Sequence, residues 1–304
     1  MQRVLVTGAS GFTGRHLVPV LVALGYEVHG LVGPRATSVN GPHTADSYPF
    51  RSHVGDLLDA GRMSEIVALV RPTRVVHLAA ISFAAHTDVE AIYRSNLIGT
   101  RNLLAALSKM DSPPEMTLVA SSAVVYGNAA QGSLDESSSL APSNDYAVSK
   151  LAMEYMTRLF QGRLPLTIVR PFNYTGRGQS ESFVIPKIVA HFREARPVLE
   201  LGNIEVERDF SDVRMVVESY ARLLDTPAAS GGVFNICSGA GTSLRSILDI
   251  AAQLSGHRLE VRINPAFVRA NDPVRVVGSR RALDEAIGGV TAIDIRDTIE
   301  WMLR

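Results

Sequence analysis

One cysteine in 304 residues, Cys237, excludes an internal disulfide. Its apolar neighbourhood, Val233-Phe234-Asn235-Ile236-Cys237, reads as the setting of a buried structural thiol. Histidine and cysteine nowhere stand at metal-ligand spacing, so no metal site is expected. An excess of charge of one sign is missing too: 30 basic residues balance 30 acidic ones, for a formal net charge of +0. Without a global field to gather nucleic acid or an anionic membrane, any phosphate site must be local. Long apolar runs are absent as well; the nearest, Leu17 to Leu24, falls far short of the roughly 20 residues needed to span a bilayer. The chain opens straight into Val4-Leu5-Val6-Thr7-Gly8, which leaves no room for an export signal. The expectation is a cytoplasmic protein with neither nucleic acid nor membrane as a partner.

What is present suits a globular fold, with 46% hydrophobic and 20% charged residues. Apolar runs at Arg3 to Thr7, Leu17 to Leu24, Glu27 to Val32, Arg74 to Leu78 and Met116 to Ala120 belong to alternating strand-like and helix-like stretches. That alternation predicts an α/β fold, a Rossmann-type doubly wound parallel sheet with helices on both faces. Between Gly33 and His53 the pattern breaks into Pro, Ser, Thr, Asn and Gly, which reads as a loop after the second strand. Helical periodicity marks Ala91 to Leu107 and Tyr146 to Phe160. After Phe172, glycine and proline punctuate the chain before a strand at Gly232 to Cys237 and a helix at Leu244 to Leu254. A dinucleotide-binding domain is therefore expected over 1–172, with part of 210–238 returning to it. Residues 173–304 are expected to form mainly a smaller α/β substrate-binding domain.

Thr7-Gly8-Ala9-Ser10-Gly11-Phe12-Thr13-Gly14 joins the first strand to the first helix. Closely spaced glycines there let backbone N–H groups approach a pyrophosphate. The spacing Gly8-x-x-Gly11-x-x-Gly14 differs from the commoner Gly-x-Gly-x-x-Gly, and a tight turn without ligand is the alternative. At the end of the second strand no carboxylate stands ready for ribose hydroxyls, whereas Arg35 is close by. That favours NADP(H) and leaves NAD(H) open.

Tyr146 and Lys150, four residues apart, share one helix face. A free tyrosine titrates near pH 10, about three units too high for acid–base work at neutrality, so an adjacent ammonium is useful. The pair alone is weak evidence. Its context is Ser121-Ser122, which follows the strand ending at Ala120, where Ser122 could reach a ligand at the C-terminal end of the sheet.

The glycine turn, the Ser121-Ser122 segment and the Tyr146/Lys150 pair, in this order, resemble the extended short-chain dehydrogenase/reductase family over most of the chain. The resemblance implies catalysis by Ser122, Tyr146 and Lys150. It implies adenine contacts at Asp56 and Leu57, a cofactor-lining strand end at Ala79 and Ala80, a structural role for Asn96, and a homodimer built on Ala91 to Leu107 and Tyr146 to Phe160. Arg170-Pro171-Phe172-Asn173, Gly178-Gln179, Ser182 to Ile185 and Leu201 to Ile204 look like the branch acting on GDP-mannose derivatives. Arg208 to Val213 and Phe234 to Gly239 are most similar to GDP-4-keto-6-deoxy-D-mannose reductases, which make GDP-D-rhamnose. By that likeness Asn173, Arg208 and Arg269 would hold the nucleotide diphosphate, with Lys187 a further contact; a neutral protein needs such local cations.

Related 4,6-dehydratases have a carboxylate two or three residues before the Tyr-Gly of the serine segment. Ala123 and Val124 stand there, and neither moves a proton. Reduction of a C4 ketone is therefore expected, with GDP-mannose 4,6-dehydratase, through a carboxylate such as Glu136, and NDP-sugar 4-epimerase as alternatives. An NADP-binding sensor is the non-enzymatic one.

Overall fold

The computed structural model describes residues 2–34, 50–82, 88–127, 132–268 and 273–304. In chain order the first part comprises β1 (Arg3–Thr7), α1 (Phe12–Ala23), β2 (Glu27–Val32), β3 (Arg51–Val54), α2 (Ala60–Val70) and β4 (Arg74–His77). There follow α3 (Val89–Tyr93), a π-helical turn (Arg94–Gly99), α4 (Thr100–Leu107), β5 (Met116–Ala120), a 3-10 turn (Ala123–Tyr126), β6 (Gly132–Leu134), α5 (Asp145–Arg158) and β7 (Leu166–Pro171). The remainder runs β8 (Asn173–Thr175), α6 (Val184–Arg193), β9 (Val198–Leu201), β10 (Glu207–Asp212), α7 (Val213–Leu224) and β11 (Val233–Ile236). It ends with β12 (Gly241–Ser243), α8 (Leu244–Ser255), β13 (Glu260–Ile263), β14 (Arg275–Gly278), α9 (Arg281–Ile287) and α10 (Ile295–Leu303).

Seven of these strands form one parallel sheet in the order β11-β7-β5-β4-β1-β2-β3. The expected Rossmann-type doubly wound sheet is what is found. Alternation along each strand explains why both faces are covered. Val4 and Val6 of β1 enter a core with Leu17, Val18 and Leu21 of α1 and with Val216 and Tyr220 of α7. Leu5 between them enters the opposite core with Met63, Ile66, Leu103, Leu104 and Met153 from α2, α4 and α5. Strand order reverses at β1, which lies between β2 and β4, and this opens the crevice where open α/β sheets take ligands.

One expectation is corrected here. The loop read from Gly33 to His53 ends early, because Arg51 to Val54 pair in parallel with β2 from His29↔Arg51 to Val32↔Val54. This is an edge strand of polar, partly exposed residues, without the apolar run that marks a central strand.

β11 lies beside β7, with Val233 opposite Ile168. In the second sheet β10 pairs with β12, β14 and β8, and β14 pairs with β6. A separate core of α6, α8 and α10 residues, including Ile188, Phe192, Ile247, Ile299 and Met302, supports this part.

Candidate active site

The turn after β1 is held by contacts that require glycine. Gly8 has φ of +70°, and a Cβ there would lie 2.9 Å from the Ala79 nitrogen; at Gly14 a Cβ would lie 2.3 Å from the Gly8 oxygen. The ends of β1 and β4 thus touch through backbone, reinforced by the Ala79 amide, which donates to Thr7 Oγ1 at 3.1 Å. Gly11 caps α1 without any side-chain hydrogen bond to the first turn. The first amides of a helix lack intrahelical acceptors, so Phe12, Thr13 and Gly14 offer donors that suit the pyrophosphate of a dinucleotide. Thr13 Oγ1 is fixed by Tyr174 Oη at 2.7 Å, and the Phe12 ring stacks on Tyr174 with centroids 5.9 Å apart.

Ala79 and Ala80 follow β4 and remain partly exposed beside this turn. Asp56 and Leu57 follow β3. The Asp56 carboxylate accepts from the Leu58 amide at 2.9 Å, and the Leu57 carbonyl accepts from Asn102 Nδ2 at 2.9 Å. Arg35 lies outside the described residues.

Below the crevice a directional hydrogen-bond line is legible. The Thr100 hydroxyl gives its one proton to the Asn96 carbonyl and so accepts from His77 Nε2, which leaves Nδ1 to accept from Thr7 Oγ1 at 2.7 Å. Nε2 then carries the His77 proton towards Thr100 Oγ1 at 2.8 Å, and the Thr100 hydroxyl donates to the Asn96 carbonyl at 2.7 Å. These partners assign the Nε2–H tautomer. The Asn96 side chain accepts from the Ile81 amide at 2.8 Å and donates to the Ile81 carbonyl and to Ser149 Oγ. Ser149 in turn donates to the Tyr146 carbonyl at 2.8 Å, so the strand end and α5 share one network.

α5 begins after Asn144, whose side chain accepts from the Ala147 amide at 2.9 Å. Within its first two turns, Tyr146 and Lys150 are both buried. Lys150 Nζ donates to the Ala120 carbonyl at the end of β5, at 2.7 Å. Ser122 caps the 3-10 turn that follows β5 and stands close enough to Tyr146 to pull on its phenol. The structure therefore brings Ser122, Tyr146 and Lys150 together. Burial pushes the Tyr146 phenol well above its usual value, against the pull of Ser122. Burial likewise lowers Lys150 to about 8, opposed by the Glu154 carboxylate.

The residues expected to hold substrate fall into two places. Asn173 on β8 and Arg208 on β10 belong to paired strands, since Asn173 is opposite Phe210. Asn173 Nδ2 reaches the Asp209 carbonyl at 3.3 Å, while Arg208 donates to the carbonyls of Glu207 and Pro273, each at 2.8 Å. Lys187 on α6 instead donates to the Glu200 carbonyl at 2.8 Å and lies 5.0 Å from the Phe267 ring centroid. Arg269 lies outside the described residues.

Sequence reasoning did not single out Glu154, His77, Thr7, Thr100 or Tyr174. Glu154 had a readable signal, its place one turn after Lys150 on the same helix face. The others depend on contacts between distant segments. Among the described residues no cluster of His, Cys, Asp and Glu could hold a metal ion, and no helix is long and apolar enough to cross a membrane.

Residues 4–237 match the NAD dependent epimerase/dehydratase family. The chain is 34% identical over 314 residues to a GDP-6-deoxy-D-mannose reductase of Pseudomonas aeruginosa, covering 99% of this chain and 96% of the relative. It is 30% identical to a GDP-6-deoxy-D-talose 4-dehydrogenase of Aggregatibacter actinomycetemcomitans, covering 94% and 92%. Among solved structures, a candidate epimerase from Burkholderia cenocepacia superposes with a TM-score of 0.92 at 44% identity, covering 99% and 97%. RMD from Pseudomonas aeruginosa, complexed with NADPH, superposes with a TM-score of 0.83 at 32% identity, covering 100% and 98%.

Proposed function

The chain belongs to the NAD dependent epimerase/dehydratase family and is an oxidoreductase-type enzyme that modifies nucleotide sugars; on that premise we propose that it reduces the C4 ketone of GDP-4-keto-6-deoxy-D-mannose to give GDP-D-rhamnose. NADP(H) is the preferred cofactor in this reading, which the NADPH complex of the Pseudomonas aeruginosa neighbour supports, and NAD(H) can substitute.

The observation that carries the proposal is the acid–base inventory of the crevice. Tyr146 is a buried phenol close to Ser122, and burial raises its pKa and keeps it protonated, which is the state a proton donor needs. Ala123 and Val124 in the neighbouring turn carry no acid–base group. Glu136, the carboxylate a dehydratase could have borrowed, is engaged elsewhere: its Oε1 accepts from the Asn235 backbone amide of β11 at 2.7 Å. Proton removal at C5 and water loss at C6 would require a further group, whereas ketone reduction requires one donor.

The glycine turn with Phe12 and Thr13, the shelf of Ala79 and Ala80, and Asp56 with Leu57 would hold the dinucleotide, with Arg35 near its ribose. When bound, the reduced nicotinamide supplies the hydride that C4 receives. Ser122 orients the ketone by a hydrogen bond to its oxygen, and Tyr146 gives that oxygen its proton. The Lys150 ammonium stabilises the phenolate left behind, so the acid can be regenerated from solvent. Asn173, Arg208, Lys187 and Arg269 supply local positive and polar contacts for the GDP moiety.

A homodimer is part of the same reading. Ile98 in the π-turn and Val148, Tyr155 and Leu159 along or just after α5 are exposed apolar side chains, Leu159 at 81%. A second copy of the same surface is the partner that would cover them.

Incubating the protein with NADPH and GDP-4-keto-6-deoxymannose tests the activity. Stoichiometric loss of reduced-cofactor absorbance with a 6-deoxyhexose product is expected, and Tyr146→Phe should lower kcat by about 10²–10⁴-fold. No oxidation of NADPH, or unchanged turnover in Tyr146→Phe, would refute the reading. Formation of a 4-keto product or a C4 epimer from NDP-sugars with NAD(P)+ would then replace it.

A further inference from the structure

Beneath the crevice lies a buried ion pair that the proposed chemistry does not use directly. Arg170 on β7 grips Glu154 on α5 with two hydrogen bonds, Nε to Oε1 at 3.0 Å and Nη2 to Oε2 at 2.7 Å, and the two side chains are 2% and 1% exposed. Burying such a pair contributes little net stability, because desolvation offsets the attraction and apolar residues of similar volume often serve as well. Geometry is what a bidentate pair supplies.

The partners of this pair give that geometry a direction. Ser121 Oγ donates to Glu154 Oε1 at 2.5 Å, and Arg170 Nη1 donates to Tyr126 Oη at 3.0 Å. The Arg170 guanidinium also lies 5.1 Å from the Tyr126 ring centroid, and Tyr126 Oη donates to Asn235 Oδ1 at 2.7 Å. Ser121 and Tyr126 are the two ends of the short segment that carries Ser122. One end is fastened to the carboxylate and the other to the guanidinium. The carboxylate belongs to the same helix as Tyr146 and Lys150, one turn beyond the lysine.

We propose that the Glu154–Arg170 pair, acting through Ser121 and Tyr126, is the positioning element that sets the Ser122 hydroxyl against Tyr146. Ser121, Tyr126, Glu154 and Arg170 touch neither substrate nor cofactor in this role; they act through Ser122. The inference rests on the reading above, in which Ser122 and Tyr146 address the substrate carbonyl.

A double-mutant cycle on the full-length enzyme tests it, with kcat measured at saturating NADPH and ketosugar. Ser121→Ala removes only a hydroxyl and leaves the ion pair intact; Ser122→Ala removes the group being positioned. A misplaced catalytic group costs up to about 100-fold in rate, so Ser121→Ala should lower kcat by about tenfold with little change in NADPH affinity. In the Ser122→Ala background the same substitution should have no further effect, since nothing remains to be positioned. Tyr126→Phe, which cuts the other end, should repeat the pattern. A purely structural role would move thermal stability but leave the kinetic effects multiplicative. If Ser122→Ala lowers kcat while Ser121→Ala and Tyr126→Phe are silent or multiply with it, the positioning role alone is overturned. If Ser122→Ala is itself silent, the reading of the site fails, and the positioning role fails with it.

Discussion

His77 is buried on every side, and its two nitrogens are taken by the hydroxyls of Thr7 and Thr100. Burial, and after it the Lys150 ammonium, lowers its pKa from 6.5 to about 3. Below pH 6.5 the unfolded chain takes up a proton that the fold refuses until about pH 3. The unfolded state then binds more protons, so the contribution present above pH 6.5 is lost as acid is added, up to about 5 kcal/mol in all. Denaturant midpoints between pH 8 and 4 should therefore fall more steeply for the parent than for His77→Gln. Equal slopes would contradict a neutral His77. Nitrogen-15 shifts should also report a pyrrole-type Nε2 and a pyridine-type Nδ1. Very little of this was legible in the sequence, where His77 is one more residue in an apolar strand. The Tyr146/Lys150 pair was legible, because four residues on a helix make neighbours whatever the tertiary context.

The join between β1 and α1 carries a tight steric demand of its own. At Gly14 a Cβ would lie 2.3 Å from the Gly8 oxygen and 2.5 Å from the Ala9 oxygen, both backbone atoms that cannot step aside. Gly14→Ala should displace the turn and raise the NADPH dissociation constant by about tenfold or more, roughly the 1.4 kcal/mol of a lost phosphate contact. Gly162→Ala, where a Cβ meets nothing within 4 Å, is the matched control and should bind NADPH as the parent does. Fluorescence titration of NADPH reads both; equal affinities would remove the turn from the cofactor site. Elements whose apolar runs are continuous, such as β1, β2, β4 and β5, could be read from sequence. β3 could not, because an edge strand of Arg51-Ser52-His53-Val54 has no such run. The π-turn at Arg94–Gly99 was also hidden, since one turn of altered winding barely disturbs the periodicity of Ala91 to Leu107.

Over the whole molecule, two polypeptide regions meet where β7 leads into β8 and where β11 returns beside β7. Fold class was legible because alternation of strand and helix is a property of long stretches. The surroundings of the candidate site were less so: Glu154 with Arg170, Thr13 with Tyr174, and Asn173 with the β10 backbone are pairs made only by folding. The exposed apolar stripe on α5 carries the molecular-scale prediction. Light scattering should find a dimer at micromolar concentration, and Leu159→Lys should shift it to monomer by placing a charge in the shared face. A parent protein that is monomeric at that concentration would overturn the homodimer.

Isotope transfer shows whether this crevice carries out net reduction at C4. The protein is given NADPH deuterated at the transferable position together with GDP-4-keto-6-deoxymannose, and the sugar product is located by mass and NMR. One deuterium on C4 of a GDP-6-deoxyhexose is expected for each NADPH oxidised. A product without deuterium, deuterium at another carbon, or no net oxidation of NADPH would contradict it.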